Sequence, residues 1–375
     1  MAAPAQSFLV SGNASSRLAR ELSKLARSVE RPGGAVVFLS GDFAEQLPEV
    51  AREVAPSLQG IPTLFATGAG VLSDAGELEA QSGASGVVWR GKPSPVFCVD
   101  DEDAEACIDA LAGQVFDHAA RADHPSLVFV GPQLSEATQR LHRDGRGRNI
   151  FGAGAVHSPG VATVDGDGRV RVGSAAAMVL SGVHSPKVHA APACRVLDAP
   201  QPVTLSRGPL ILELGGEPAL DYLGRVAESI ADASLVLAAV FESDHIQSGK
   251  FTVKPIRGVD PSRGAVVLPE ALADGAALGF AVRDAAMARD ELTRSAFSLK
   301  RELAGAMPLF GLHLTCAGRG VGLYGNPDVE IGVMRRAFPG VPLAGMMSAF
   351  ELPPGPEGPT LALYTAVTAM FATPS

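Results

Sequence analysis

LFGLHLTC (Leu309–Cys316) is a short apolar run of the kind that forms a buried strand, and a glycine turn, AGRG (Ala317–Gly320), follows it directly. The next patterned segment predicts a helix over Pro327–Phe338 with proline at its first turn. Gly340-Val341-Pro342 then leads into LAGMMSAFELPP, a small apolar strand opening into a Gly/Ala/Ser-rich turn. The same order occurs twice upstream. AVVFLS (Ala35–Ser40), a helical segment over Asp42–Val54 and GIPTLFATGAGVLS make one instance; Leu127–Val130, a helix over Leu134–Arg143 and NIFGAGAVHSPG make another. Gly60-Ile61-Pro62 and Gly340-Val341-Pro342 are the closest match between copies, and the wide spacing excludes a solenoid. Strands alternating with helices in this way predict a mixed α+β fold: two related halves whose mixed β-sheets are flanked by helices.

The remaining segments fill in around these units. Leu18, Leu22, Leu25 and Val29 recur at helical spacing before Arg31-Pro32-Gly33-Gly34 ends the stretch. Asp165-Gly166-Asp167-Gly168 marks a hairpin between two strands. The proline-rich DAPQPVTLSRG (Asp198–Gly208) reads as the boundary between halves. Beyond it come a strand at Leu210–Leu214 and a helix opened by Glu217-Pro218 with Leu220, Leu223, Ala227 and Ile230 on one stripe. A strand at Leu235–Phe241 and a strand-like region to Leu268 follow, then a long amphipathic helix over Val282–Leu303. The alternating TLALYTAVTAMF closes the chain as a strand.

Hydrophobic residues make up 46% of the 375 and charged residues only 19%, so a large core is available and a disordered chain is excluded. The formal charge of −9 argues against nucleic acid and against an electrostatic hold on anionic membranes. Cys98, Cys107, Cys194 and Cys316 are too few and scattered for a disulfide framework. The N-terminal MAAPAQSFLVSGNASSR lacks a basic segment followed by an apolar one, so no signal peptide is expected. The charge-free run Gly358–Ser375 carries Thr360, Thr365, Thr368 and Thr373 and alternates too well for membrane insertion. A soluble, cytoplasmic protein is expected.

Most catalytic signatures fail. Gly86–Lys92 has phosphate-loop spacing, but Pro93 stands where the magnesium-binding hydroxyl belongs, and Val87, Val88 and Trp89 read as strand. Gly318-Arg319-Gly320-Val321-Gly322 lacks the last glycine of a dinucleotide fingerprint. His184 and His189 flank Pro186, there is no Cys-x-x-Cys or Gly-x-Ser-x-Gly, and neither a metal nor another cofactor is implied. Two constellations remain. Cys316 at the end of a buried strand points its sulfur toward a cleft or packs as a small hydrophobe; Arg319 lowers a thiol pKa, holds a carboxylate or is solvated. His313 lies three residues back, on the opposite face, and is no base for Cys316. Gly345, Met346, Ser348 and Glu351 give backbone amides, a soft wall and a lone carboxylate suited to an amine; the plain alternative is a sheet edge with methionine packing in the core and Glu351 in solvent.

These constellations, in this order, resemble the FIST family of small-ligand sensory domains over about residues 30–370. Thr315-Cys316-Ala317-Gly318-Arg319-Gly320, Val341-Pro342-Leu343-Ala344-Gly345 and Glu351 are similar to the pattern of its C-terminal domain. So are Glu217-Pro218-Ala219-Leu220-Asp221-Tyr222-Leu223 and Leu363-Tyr364-Thr365-Ala366-Val367. The N-terminal half is similar in outline through AVVFLS, GIPTLFATGAG and NIFGAGAV. The leucine spacing assigns an N-terminal helix to 1–30, and the resemblance implies a FIST N-like domain over 31–200 and a FIST C-like domain over 208–372. It implies a non-enzymatic sensor of a small, polar, amino-acid-like ligand, held by Cys316, Arg319, Gly320, Gly345, Met346, Ser348 and Glu351, with a separate protein carrying the signalling output. The chain departs from the family where Phe350 replaces the glycine before the glutamate. In the N-terminal half, Ala66-Thr67-Gly68 and Gly152-Ala153-Gly154 replace the usual turns. A thiol-dependent enzyme using Cys316 and an adaptor with a vestigial pocket are the alternatives.

Overall fold

The computed structural model describes residues 3–119, 125–141, 149–228, 230, 235–241, 251–303, 305–355 and 358–373. The three strand–helix–strand units each yield a parallel strand pair: Pro32–Ser40 with Thr63–Thr67, Ser126–Val130 with Ile150–Gly154, and Pro308–Cys316 with Leu343–Ser348. The crossovers are Asp42–Glu45 plus Leu47–Val54 in the first copy, the 3-10 run Pro132–Leu141 in the second, and Ala317–Arg319, Val321–Tyr324 and Val329–Ala337 in the third. Gly60 and Gly340 both take positive φ, +81° and +75°, in the turn before the second strand. In each turn the proline carbonyl accepts a backbone bond from the first strand: Ala35 N–H to Pro62 O at 3.0 Å, Gly311 N–H to Pro342 O at 2.9 Å. The Gly-x-Pro match is thus one turn built twice, with glycine supplying the left-handed residue.

Each pair anchors its own sheet. On the outer side of the first strand lies a later antiparallel strand of the same copy: Gly83–Arg90, Ala175–Val179 or Thr365–Ala372. Beyond these sit Ala5–Ser11, Val96–Val99 and Lys187–Pro192. The second strand of each pair takes its neighbour from a different copy. The hairpin Gly70–Ser73/Gly76–Glu79 of the first copy joins the third sheet beside Leu343–Ser348. Glu351–Leu352 of the third joins the second beside Ile150–Gly154, and Val161–Val164/Val170–Gly173 of the second joins the first beside Thr63–Thr67. The lending therefore closes a cycle. Three equivalent backbone bonds mark it where the strands end: Ala69 N–H to Met347 O (2.8 Å), Val156 N–H to Thr67 O (3.1 Å) and Ala349 N–H to Gly154 O (3.0 Å).

Alternation along the strands builds the core. Val36, Phe38, Phe129, Phe151, Leu312, Leu314, Met346 and Phe371 enter one cluster shared by all three sheets, where Trp89, Phe310 and Phe371 stack. Ala35, Val37 and Leu39 face the other way, onto helices Ser15–Ser28 and Leu47–Val54. Leu343, Ala366 and Met370 likewise meet Leu292, Leu299, Ile331 and Met334. Sheets covered on both faces explain the continuous apolar runs.

Two compact units result: Met1–Ala191 with Leu292–Leu361 and Thr365–Ser375, which holds the three copies, and Pro192–Glu291 with Ala362–Tyr364. Among the described residues the second unit holds a nine-stranded antiparallel sheet, including Gln201–Arg207, which lies within the proline-rich stretch, and helix Ala219–Ala227.

Several expectations change. The Pro327–Phe338 helix spans Val329–Ala337, because Asp328 takes left-handed φ and ends the preceding turn. The stripe of helix Ala219–Ala227 is Ala219, Tyr222 and Val226, each one place before Leu220, Leu223 and Ala227, since the tyrosine ring packs against Phe280; Ile230 lies beyond the helix. The closing strand Thr365–Ala372 is buried at every residue, so its threonines do not mark a wet face. The helix expected over Leu134–Arg143 is 3-10 throughout its described part, and residues 142–143 lie outside the described ones.

The lent hairpin also caps the third copy's helix. Glu77 accepts the backbone N–H groups of Asp328 and Ile331, each at 2.9 Å, satisfying donors that a helix start leaves unpaired. Glu77→Ala is expected to cost about 1 kcal/mol in urea unfolding, the usual value of an N-terminal cap.

Candidate functional site

The strand Pro308–Cys316 sends Leu312 and Leu314 into the shared core, which turns His313 and Thr315 to the opposite face. There His313 Nε2 lies 3.0 Å from Glu330 Oε2, and Nδ1 lies 2.8 Å from the Thr368 hydroxyl. Cys316 ends the strand, buried and paired in register with Ser348. The 3-10 turn Ala317–Arg319 then carries Arg319 inward until only 1% of it is exposed. Its Nε donates to Glu330 Oε1 at 2.7 Å, Nη1 to the Ala191 carbonyl at 2.8 Å and Nη2 to the Tyr324 oxygen at 3.2 Å. The Tyr324 hydroxyl donates to Glu330 Oε1 at 2.6 Å.

Burial works against the Glu330 carboxylate, yet the Arg319 charge and the His313 bond outweigh it and hold it well below the usual carboxylate range. Burial and the adjacent Glu330 charge push the Tyr324 phenol up. A hydrogen-bonded ion pair with a tyrosine and a histidine around it is thus closed on itself.

Glu351 lies at the other edge of the cluster, fully buried. Ser348 Oγ is 2.7 Å from its Oε1, and the Thr365 N–H donates to Oε2 at 3.3 Å. Burial pushes this carboxyl well above the ordinary range, and the Ser348 bond and the Arg319 charge offset it only in part. Gly320 and Gly345 are places of close approach. A Cβ at Gly345 would stand 1.8 Å from the His313 carbonyl oxygen, and one at Gly320 2.3 Å from Glu79. Met346 packs in the shared core. Phe350 is buried with its ring over Gly154, where a Cβ would come within 2.4 Å of it.

The structure therefore gathers Cys316, Arg319, Ser348 and Glu351 at the strand ends of the third copy, with Gly320 and Gly345 beside them and Met346 in the core. All seven are buried. None lines the cleft of about 240 Å³ at Pro125, Phe151, Lys187 and Glu302. Sequence reasoning missed Glu330, Tyr324 and Thr368. For Glu330 a signal existed: it shares the i, i+3, i+4, i+7 stripe of Val333, Met334 and Ala337, so the stripe that buries them buries a carboxylate. Among the described residues no group of three or more His, Cys, Asp or Glu side chains is placed to hold a metal, and no helix is long and apolar enough to cross a membrane.

Comparison with known proteins finds relatives in mycobacteria. An uncharacterized protein of Mycobacterium tuberculosis is 28% identical over 374 residues, spanning 95% of this chain and 96% of its own. An uncharacterized protein of Mycobacterium bovis is 33% identical over 207 residues, 51% of this chain and 52% of its own. The FIST N domain model matches residues 35–217 and the FIST C domain model residues 219–354, the latter containing Cys316, Arg319 and Glu351. With most of its length covered by these two models, the chain belongs to the FIST family, whose domains are associated with sensory signal transduction.

Proposed function

We propose that the protein is a cytoplasmic, non-enzymatic sensor that binds a small polar ligand of amino-acid type at the strand ends of the third copy and signals through a separate output protein. The observation that carries this reading is the buried Arg319–Glu330 pair with Glu351 alongside. Ions buried in an apolar fold cost several kcal/mol each to desolvate and stabilise little on balance, so such a cluster is better explained by a task than by stability. In this reading a ligand carboxylate takes the Arg319 fork, an amine faces Glu351, and Cys316, Met346 and Ser348 form the wall, with Gly320 and Gly345 allowing close approach. Because Glu330 already occupies Arg319, the ligand must displace it. Displacement releases the helix Val329–Ala337 that carries Glu330, and this gives binding a conformational readout. The position of His313, across the strand from Cys316 and engaged by Glu330, supports a binding rather than a thiol-catalytic role.

Phe350 favours a second reading, an adaptor with a closed pocket, since its ring fills the space over Gly154. A thermal-shift screen of wild type, Arg319→Lys and Phe350→Gly against amino acids, polyamines and small carboxylates separates the two. A compound at 100 times its Kd adds about 2.7 kcal/mol, a shift of several degrees. The sensor reading expects that shift in the wild type and its loss in Arg319→Lys, which keeps the charge but not the planar fork. A shift confined to Phe350→Gly would favour the adaptor, and no shift in any of the three proteins would discard the ligand.

A further inference from the structure

We infer that Glu351 is a proton-binding switch: it holds the strand ends closed as a neutral carboxylic acid, and loss of its proton opens the Ser348–Glu351 turn. The inference takes from the proposed function only that these residues form the site; it stands or falls without a ligand.

Hydrogen-bond counting comes first. The Ser348 hydroxyl has one proton but two acceptors in reach, Glu351 Oε1 at 2.7 Å and the Thr315 carbonyl at 3.1 Å. If Glu351 is ionised, Ser348 can serve only one of them. If Glu351 carries the proton on Oε1, it donates to Ser348 Oγ and Ser348 donates to Thr315 O, so both contacts are made. The remaining oxygen, Oε2, keeps the Thr365 N–H in either state.

Charge counting agrees. Among the described residues no cation lies within 4.0 Å of Glu351, although it is fully buried. The strand Ile150–Gly154, its partner in the sheet, has no titratable side chain, and neither has Thr365–Ala372. The strand Pro308–Cys316 offers Cys316 and His313, the latter turned to the other face and held by Glu330. The turn Ala317–Arg319 and helix Val329–Ala337 bring Arg319 and Glu330, opposite charges paired at 2.7 Å. An ionised Glu351 would thus be a second buried carboxylate beside a guanidinium already matched by the first, which is the arrangement that drives one of two acids to keep its proton.

Opening follows from position. Glu351 belongs to the two-residue strand Glu351–Leu352, which the third copy lends to the second sheet. A charge appearing there is relieved only by reaching water, and the shortest element in the cycle is the one that yields.

The test is an infrared pH titration of the wild-type chain paired with hydrogen exchange of the turn. The expected result is a carboxylic-acid carbonyl band that persists at pH values where exposed glutamates, with pKa about 4.3, have ionised. It should disappear in one transition at higher pH, and exchange at Ser348–Leu352 should rise with the same midpoint. Glu351→Gln should lose the part of the band that persists to the highest pH and show flat exchange. Glu77→Gln, which removes another carboxyl that burial pushes up, should keep both. A wild type without the band, or a band that Glu77→Gln alone removes, overturns the inference. Exchange that does not follow the band's midpoint overturns the switch.

Discussion

Glu330→Ala is expected to lose about 3–5 kcal/mol of stability, the cost of leaving one member of a buried ion pair without its partner. The loss should be large because three groups depend on this carboxylate. Arg319 gives it Nε, Tyr324 gives it a hydroxyl and His313 faces its second oxygen. Arg319 is 1% exposed, so water cannot take over. Arg319→Ala should cost about as much for the converse reason. The double variant Arg319→Met with Glu330→Leu should recover most of it, since apolar residues of similar volume often replace a buried pair at no net cost. Urea unfolding of the wild type, Arg319→Met, Glu330→Leu and the double variant makes a double-mutant cycle; a double variant as weak as the sum of these two singles would contradict the pairing. The pH dependence has a definite sign. Glu330's pKa is depressed in the folded state, so its contribution is present above the unfolded value near 4.3 and is lost as pH falls through its folded value. The wild type should therefore lose stability in acid relative to Glu330→Ala.

Gly345→Ala and Gly152→Ala are expected to be at least as damaging, about 3 kcal/mol or more each, and in thermal unfolding to approach loss of the folded state. These glycines occupy the same place in two copies, on the second strand of the parallel pair. A Cβ there would fall 1.8 Å from the His313 oxygen and 1.7 Å from the Val128 oxygen. Both obstacles are backbone in a strand paired on both sides, so no rotamer change relieves them. Gly332→Ala is the control: it lies in helix Val329–Ala337 with nothing within 4 Å of the added carbon. Alanine there should raise stability by up to about 1 kcal/mol.

The repeated unit was readable because its signals are local. An apolar run, a helical stripe and Gly-x-Pro each lie within a dozen residues, and both Gly-x-Pro turns form as their residues suggest. Who pairs with whom was not readable. Glu351–Leu352 is two residues long and takes its place from the sheet it completes, not from its own pattern. The strand Ala5–Ser11 escaped because only some of its residues are buried. The cluster divided the same way. Cys316, Arg319, Ser348 and Glu351 stood out as polar residues around apolar strands, and the ends of those strands bring them together. What Arg319 reaches depends on how helix Val329–Ala337 lies on the sheet, and so its carboxylate partner was hidden although its burial stripe was in view.

The cyclic lending of strands has a consequence for how the chain is made. Val71 pairs with Met346 and Leu72 with Gly345, so the hairpin emerges from the ribosome about 270 residues before its partner, a wait of roughly 15–55 seconds at ordinary rates of synthesis. Until then its hydrogen-bonding edge is open, and the parallel pair it will complete does not exist. The second copy waits in the same way for Glu351–Leu352. A nascent chain containing the whole FIST N match holds every strand of the first sheet but lacks the strand that completes the second and the pair that receives the hairpin, so those edges stay exposed to aggregation and to chaperones until the third copy is made. Native closure is an event of the finished polypeptide, slow for its size because its decisive contacts span the length of the chain.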